Sequence, residues 1–362
     1  MNANNIQTPP KIKRETKNKI KVEFDRTPLI ERLQAKLLNI NFVINVLWYI
    51  FRLLFLIGVS YVILFPFFAK ISASFMSPED FVDVTVQLIP KAPTLATYTA
   101  IIKDNSYALA LGNTLILAGS CAILQTFVCC LIGYGFAKFK FKGNGILFLL
   151  VIFTMIVPHS TIKLSMFTEF RYFDILGIFN FLGGGVIPGL KLLKYPYINL
   201  LNSYVPLWIL SITGLGFKNG LYIFMMRQCF KNVPDELEES AYVDGCGTFR
   251  TFVQIILPTA TAMLITVFMF SFSWQWTDNF YTNLFFTSTG PTLMPSIVKV
   301  PRSLATNFAG AASYESAIRN TCGLLIIAPL VIIYVFCQRY LVLYLFAQKY
   351  IVQGIERSGI TG

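Results

Sequence analysis

Charge is scarce in this chain, and acid is scarcer than base. Only 13% of its 362 residues are charged, 18 acidic against 30 basic, and a single histidine, His159, is present. One histidine excludes a metal centre or a proton relay built from several imidazoles. The cysteines, Cys121, Cys129, Cys130, Cys229, Cys246, Cys322 and Cys337, contain no C-x-x-C pair. They read as small buried apolar residues rather than as disulfides or metal ligands. No G-x-x-x-x-G-K-[ST] phosphate loop occurs, so any ATP hydrolysis behind this chain's work belongs to another polypeptide. No catalytic residue, metal ligand or cofactor is expected.

Apolar residues are abundant, at 55% of the chain with 34 phenylalanines. That composition lies outside the soluble range and makes the bilayer the solvent. The fold class expected is an all-α integral membrane protein, because backbone polar groups in lipid must be satisfied within each apolar segment. The net charge of +12 is no nucleic-acid footprint, since the basic residues sit beside apolar runs. They read as topology signals and contacts to anionic headgroups.

Six spans are expected, at about 44–68, 108–136, 146–157 continuing toward 162, 204–226, 259–286 and 321–346. Residues 1–44 form a basic tail whose first part reads as disordered and whose part at 29–38 suits a surface helix. Lys138, Lys140 and Lys142 between the second and third spans place that connector in the cytoplasm. Six spans then put both termini there, including the tail at 347–362, in a multi-pass protein of the cell membrane. The outward loop at 181–201 has no role derivable from its residues.

The polar segment 227–258, RQCFKNVPDELEESAYVDGCGTFRTFVQIILP, has its own architecture. Asn232 is placed to cap a helix, Pro234 suits its first turn, and Asp235, Glu236, Glu238 and Glu239 load that turn with negative charge. Asp244-Gly245 supplies a turn that admits positive φ. Phe249, Phe252, Val253 and Ile256 then recur with helical period up to Pro258, which stops the helix. Glu239-Ser240-Ala241, three residues, Gly245, nine residues and Ile255-Ile256-Leu257-Pro258 resemble the EAA loop of binding-protein-dependent ABC importer permeases, pattern E-A-A-x3-G-x9-I-x-L-P. Ser240 stands where that family usually has alanine. The closing run AQKYIVQGIERSGITG resembles the tail of the maltose-permease-like subgroup, with Thr361 in place of its usual lysine.

The resemblance covers about 45–362 and implies a six-helix type I ABC importer permease core for carbohydrate. In that family the loop seats in a groove of a separate ATPase, so Glu239, Ser240, Ala241, Asp244, Gly245 and Pro258 are the docking residues it implies. Its implied partners are a second related permease, two ATP-binding subunits and an extracellular or periplasmic sugar-binding protein. Polar residues inside spans are the other site candidates. Lys218, with Asn219 beside it, lies deep in the fourth span, and Trp274, Gln275, Trp276, Asp278 and Asn279 cluster on the fifth. Aromatic faces beside amides and carboxylates suit a sugar, with Asp278 a possible partner of Lys218. The readings set against these are an ion pair within the bundle for Lys218 and an interfacial aromatic belt for the fifth-span cluster. Glu239 and Asp244 do not read as catalytic, since an elbow of this kind offers no substrate pocket. A gradient-driven secondary transporter is the rival function, and the lack of an evident internal repeat argues against it.

Overall fold

The computed structural model describes residues 11–15, 21–25, 40–81, 83, 85–175, 177–178, 181, 197–216, 218–287, 290–305 and 312–358. It divides into two compact units, 1–70 and 71–362. Most of the 181–201 loop, including the glycine-rich run at 183–196, lies outside the described residues.

In the basic N-terminal segment, β1 (Lys11–Glu15) pairs antiparallel with β2 (Lys21–Asp25), with Lys13 opposite Glu23. Disorder is what the sequence leads one to expect there.

Beyond the strands, helices joined by turns and loops make up most of the described chain. Its helices are α1 (Ile40–Ala73), α2 (Ala96–Asp104), α3 (Tyr107–Lys138), α4 (Asn144–Ile156), α5 (His159–Arg171), α6 (Val205–Ile212), α7 (Asn219–Lys231), α8 (Glu236–Val243), α9 (Thr248–Thr259), α10 (Thr261–Trp276), α11 (Phe280–Phe285) and α12 (Ala312–Ser358). Among the described residues three helical stretches are long and apolar enough to cross a membrane: Ile44–Ala73, Tyr107–Lys138 and Ala312–Tyr340. Two bent pairs add up to two more, α4 with α5 at 90° and α9 with α10 at 76°. The first bend falls at Pro158, whose missing N–H cannot continue the ladder.

The fourth expected span departs from the sequence reading. It is two helices, α6 and α7, separated at Thr213–Lys218, with Gly214 at φ +75° and Lys218 at φ +64°. Lys218 therefore begins a helix instead of standing within one. The cause is legible in TGLGFKNG: three glycines in eight residues remove side-chain packing and admit left-handed backbone.

Helix α3 is the axis of the larger unit and packs against α6, α7 and α10. Its crossing with α7 is tight at Gly133, where an added Cβ would lie 2.6 Å from Met226 Cβ and 3.0 Å from the Arg227 backbone nitrogen. Backbone cannot yield as a flexible side chain would, so overpacking here separates the two helices. Gly133→Val is expected to lower the yield of folded, membrane-inserted protein several-fold. Gly135→Val, two residues along where a Cβ meets nothing within 4 Å, should leave it near wild type; equal yields of the two variants in size-exclusion profiles would refute the assignment.

Candidate functional site

The segment after α7 folds as an elbow. Helix α8 begins at Glu236 after Asp235, three residues later than a cap at Asn232 would start it, and Asn232 ends α7 rather than capping α8. The turn after α8 is a Schellman motif: the Cys246 N–H donates to the Ala241 carbonyl at 2.9 Å and the Gly245 N–H to the Tyr242 carbonyl at 3.1 Å. Gly245 takes φ +80°, the left-handed value expected of Asp244-Gly245. The following helix does not stop at Pro258. A π-turn over Phe252–Ile256 shifts the hydrogen-bond register ahead of the proline, and the chain bends at Ala260 instead.

The elbow has two unlike sides. Inward, Ala241 is buried, and Phe252 and Ile256 are buried in one core with Tyr134 of α3 and Phe230 of α7. The Tyr134 ring lies 4.6 Å from Phe252 and 5.5 Å from Phe230 between centroids, within the range of favourable ring pairs. Outward, Glu239, Ser240, Asp244, Gly245 and Pro258 are exposed, and so are large apolar side chains: Val243 is 88% and Phe249 78% accessible. Of the six candidate docking residues only Ala241 faces the core.

A residue the sequence gives only as a topology signal fixes the elbow to α3. The Lys138 ammonium, on a side chain just 6% exposed, lies 2.6 Å from Asp235 Oδ1 and 3.7 Å from Glu238 Oε1 and donates to the Val233 carbonyl at 2.8 Å. The lysine hydrogen bond holds the Asp235 carboxyl below its ordinary value, while burial pushes that of Glu238 up against the partly offsetting lysine. Only the fold could reveal this cluster, since Lys138 is about a hundred residues from its partners in sequence.

The intramembrane candidates separate into roles. Lys218 and Asn219 line a cavity of about 640 Å³ between α4–α5 and α6–α7, with Pro158, His159 and Gly216 also on its wall. The Lys218 ammonium lies 5.1 Å from the centre of the half-exposed Trp274 ring, a cation–π contact that joins the fourth and fifth expected spans. Trp276, by contrast, is fully buried, and its indole N–H donates to the Ile326 carbonyl at 2.9 Å. It packs between α10 and α12.

Asp278 is buried and accepts from the Phe280, Tyr281 and Thr282 backbone N–H groups at 2.9–3.3 Å and from the Thr282 hydroxyl at 3.2 Å. It caps α11, and no ion pair joins it to Lys218 among the described residues. Asn279 is exposed at the same helix start. Gln275 is buried beside a polar chain at the centre of the bundle: the Ser271 hydroxyl donates to Gln125 Oε1, and Gln125 Nε2 donates to the Ser211 hydroxyl at 3.2 Å. Gln125 and Ser211 carry no motif and escape a reading by spacing.

Comparison with known proteins agrees with this architecture. The model of the family described as binding-protein-dependent transport system inner membrane component matches residues 130–351, more than half of the chain. The arabinooligosaccharides transport system permease protein AraQ of Bacillus subtilis is 26% identical over 298 residues, covering 80% of this chain and 91% of that protein. Two crystal structures share the fold. One is of a bacterial ABC transporter involved in the import of the acidic polysaccharide alginate, at 19% identity and a TM-score of 0.63, covering 81% of this chain and 96% of that one. The other is of a bacterial alginate ABC transporter in complex with an alginate pentasaccharide-bound periplasmic protein, at 15% identity and a TM-score of 0.56, covering 80% and 92%. An elbow of helix, Schellman turn and helix inside the matched region, on a bundle of bent apolar helices, makes this chain a multi-pass membrane protein that belongs to the binding-protein-dependent ABC importer permeases.

Proposed function

We propose that this chain forms half of the translocation pore of an ATP-driven oligosaccharide importer and is coupled through the 227–258 elbow to a separate ATPase. The observation that carries this reading is the two-sided elbow. Its back is fixed to α3 and α7, while its front presents Val243 and Phe249 to a partner alongside the acidic Glu239 and Asp244. Exposed apolar side chains on a polar loop mark a protein contact, and an elbow rigidly joined to the bundle moves the spans when that contact moves.

The chain holds no phosphate loop of the Walker type, which supports a division of labour with two ATP-binding subunits. A second, related permease completes the pore, and an external binding protein delivers the sugar, as the comparison with the alginate transporter complex supports. In this reading both termini and the elbow are cytoplasmic, with the tails at 1–44 and 347–362 flanking the six-span body at 45–346. The cavity at Lys218 and Asn219, with Trp274 beside it, lies on the substrate pathway.

The test is capture of the ATP-binding subunits by the full chain solubilised in mild detergent. Wild type is expected to retain them, and a double variant, Val243→Asp with Phe249→Asp, to lose at least nine-tenths of the capture while its membrane insertion is unchanged. Both side chains point away from the core, so the substitutions do not disturb packing. Capture that survives the double variant would remove the elbow from the interface, and no capture by wild type would favour the gradient-driven reading.

A further inference from the structure

Asn219 opens α7 with a side-chain amide that is sealed from water and bonded to nothing. The residue is 1% exposed, and among the described residues neither Nδ2 nor Oδ1 has a hydrogen-bond partner. Folding normally satisfies such a group, so one left over calls for a cause. Its surroundings supply one. An added Cβ on Gly216 would lie 3.2 Å from Asn219 Nδ2, 3.3 Å from Asn219 Oδ1 and 2.8 Å from Gln125 Nε2. The amides of Asn219 and Gln125 therefore border the same point beside Gly216, which puts no side chain there, yet they are not bonded to each other.

Gln125 has capacity for a further partner. Its Oε1 accepts from the Ser271 hydroxyl of α10 and its Nε2 donates to the Ser211 hydroxyl of α6. A primary amide offers two N–H donors and two lone pairs, so one of each is spare. Asn219 lacks the same two bonds, and a pair of facing amides exchanges one N–H···O bond in each direction without giving up Ser211 or Ser271. The break between α6 and α7 is where the chain can make that change. Before it, α6 is anchored to α3 by Ser211 and by the Trp208 indole N–H, which donates to the Ser120 hydroxyl at 2.8 Å. Beyond it, α7 is anchored to α3 at the tight crossing of Gly133 with Met226. Between the anchors the backbone turns at Gly214 and Lys218, both at positive φ. The first turn of α7 is seated closely on α4, since an added Cβ on Gly220 would lie 2.6 Å from Thr154 Oγ1 and 3.0 Å from the Val151 carbonyl oxygen. A small shift of that turn from α4 toward α3 joins the two amides.

We propose that Asn219 and Gln125 are positioning residues that form a two-position latch, open in this structure and closed in the opposite state of the transport cycle, where their amides pair across Gly216 and lock the α6–α7 break to α3. A buried amide pair that is either made or unmade gives the break two discrete arrangements, which is what coupling between distant sites requires. The elbow follows directly from the far end of α7, so the latch lies on the helix that the elbow moves. The assignment rests on the importer reading of the elbow and adds to it the place where the bundle registers that motion.

The test is the melting temperature of this chain within the whole transporter in nanodiscs, measured without nucleotide and again after trapping with ATP and vanadate. Asn219→Leu keeps the bulk of the side chain and removes the amide. It relieves the state in which that amide is unpaired and weakens the state in which it is paired. The melting temperature is therefore expected to rise by at least about 2 °C in one condition and to fall by at least about 2 °C in the other. Gly216→Ala is the second variant. Its backbone is not left-handed, so alanine is accommodated, but the new methyl stands between the amides. It should change the difference between the two conditions in the same direction as Asn219→Leu, and it decides the matter alone if the leucine variant does not assemble. Shifts of equal sign and size in both conditions would make Asn219 a packing residue and overturn the proposal, as would Gly216→Ala with a wild-type difference. ATPase capture through Val243 and Phe249 does not involve these residues. Capture beside equal shifts would remove the latch and leave the importer reading standing, whereas failed capture by wild type would remove both.

Discussion

Gly245→Val is expected to cut ATP-driven uptake at least tenfold while leaving the amount of membrane-inserted protein near wild type. Gly245 sits at φ +80°, where a Cβ costs roughly 1–2 kcal/mol and a β-branched side chain more. The cost is purely conformational, because an added Cβ there would meet nothing within 4 Å. Escape from it requires opening the Schellman turn, which frees the Ala241 and Tyr242 carbonyls and swings Phe249 away from Val243. The contact surface of the elbow is then split between two helices that no longer hold a fixed angle. Gly247 is the internal control: it is equally open but has φ −77° and ψ 160°, ordinary extended backbone, so Gly247→Val should transport normally. Uptake into vesicles carrying the whole transporter is the measurement. Identical behaviour of the two variants would mean that backbone geometry at the turn does not matter to coupling.

The contrast between these glycines shows how far the sequence can be read. Turn chemistry is local, so Asp244-Gly245 announced its own conformation, and the helical recurrence of Phe249, Phe252 and Ile256 announced the second arm of the elbow. Hydropathy likewise marked the apolar segments. What it could not reveal was continuity: 204–226 is apolar enough throughout to pass for one span, while its three glycines break it and turn Lys218 from a mid-helix charge into a helix start. Roles within SWQWTDNF were equally hidden. Trp274 and Trp276 are alike in composition, but a turn of about 100° per residue sends one toward Lys218 and the other into the core against α12. Asp278 looked like a partner for a distant lysine because like attracts unlike in a list of charges. In the fold, nearby backbone N–H groups at a helix start claimed it first. Contacts between residues far apart in sequence, such as Lys138 with Asp235 or Gln125 with Ser211 and Ser271, have no local signature at all.

Lys138→Met is expected to uncouple the transporter: ATP hydrolysis persists, and sugar moved per ATP falls about tenfold. The unbranched methionine side chain fills much of the space of the lysine stem. What is lost is the ammonium that ties α8 to the end of α3 through Asp235, Glu238 and the Val233 carbonyl. Asp235 is exposed and resolvates readily, whereas the Glu238 side chain is 12% exposed and keeps its charge against an apolar wall without a counter-ion. Lys138→Arg, which restores a cation able to reach both carboxylates, should recover most of the coupling, a rescue that a purely packing role would not produce.

The pH dependence separates the two acids. The Glu238 carboxyl is raised in the folded protein, so the folded elbow binds the extra proton and its stability falls as pH rises from the unfolded value through the folded one. Removing Lys138 raises that carboxyl further, and the melting-temperature deficit of Lys138→Met should widen from pH 5 to pH 8. Asp235 acts with the opposite sign, contributing stability above its unfolded value that is lost only as pH falls through a depressed one below 3.8. Its contribution is constant across pH 5 to 8, so the change in that window belongs to Glu238. A deficit independent of pH, with coupling not restored by arginine, would show that the ammonium does not hold the elbow to α3.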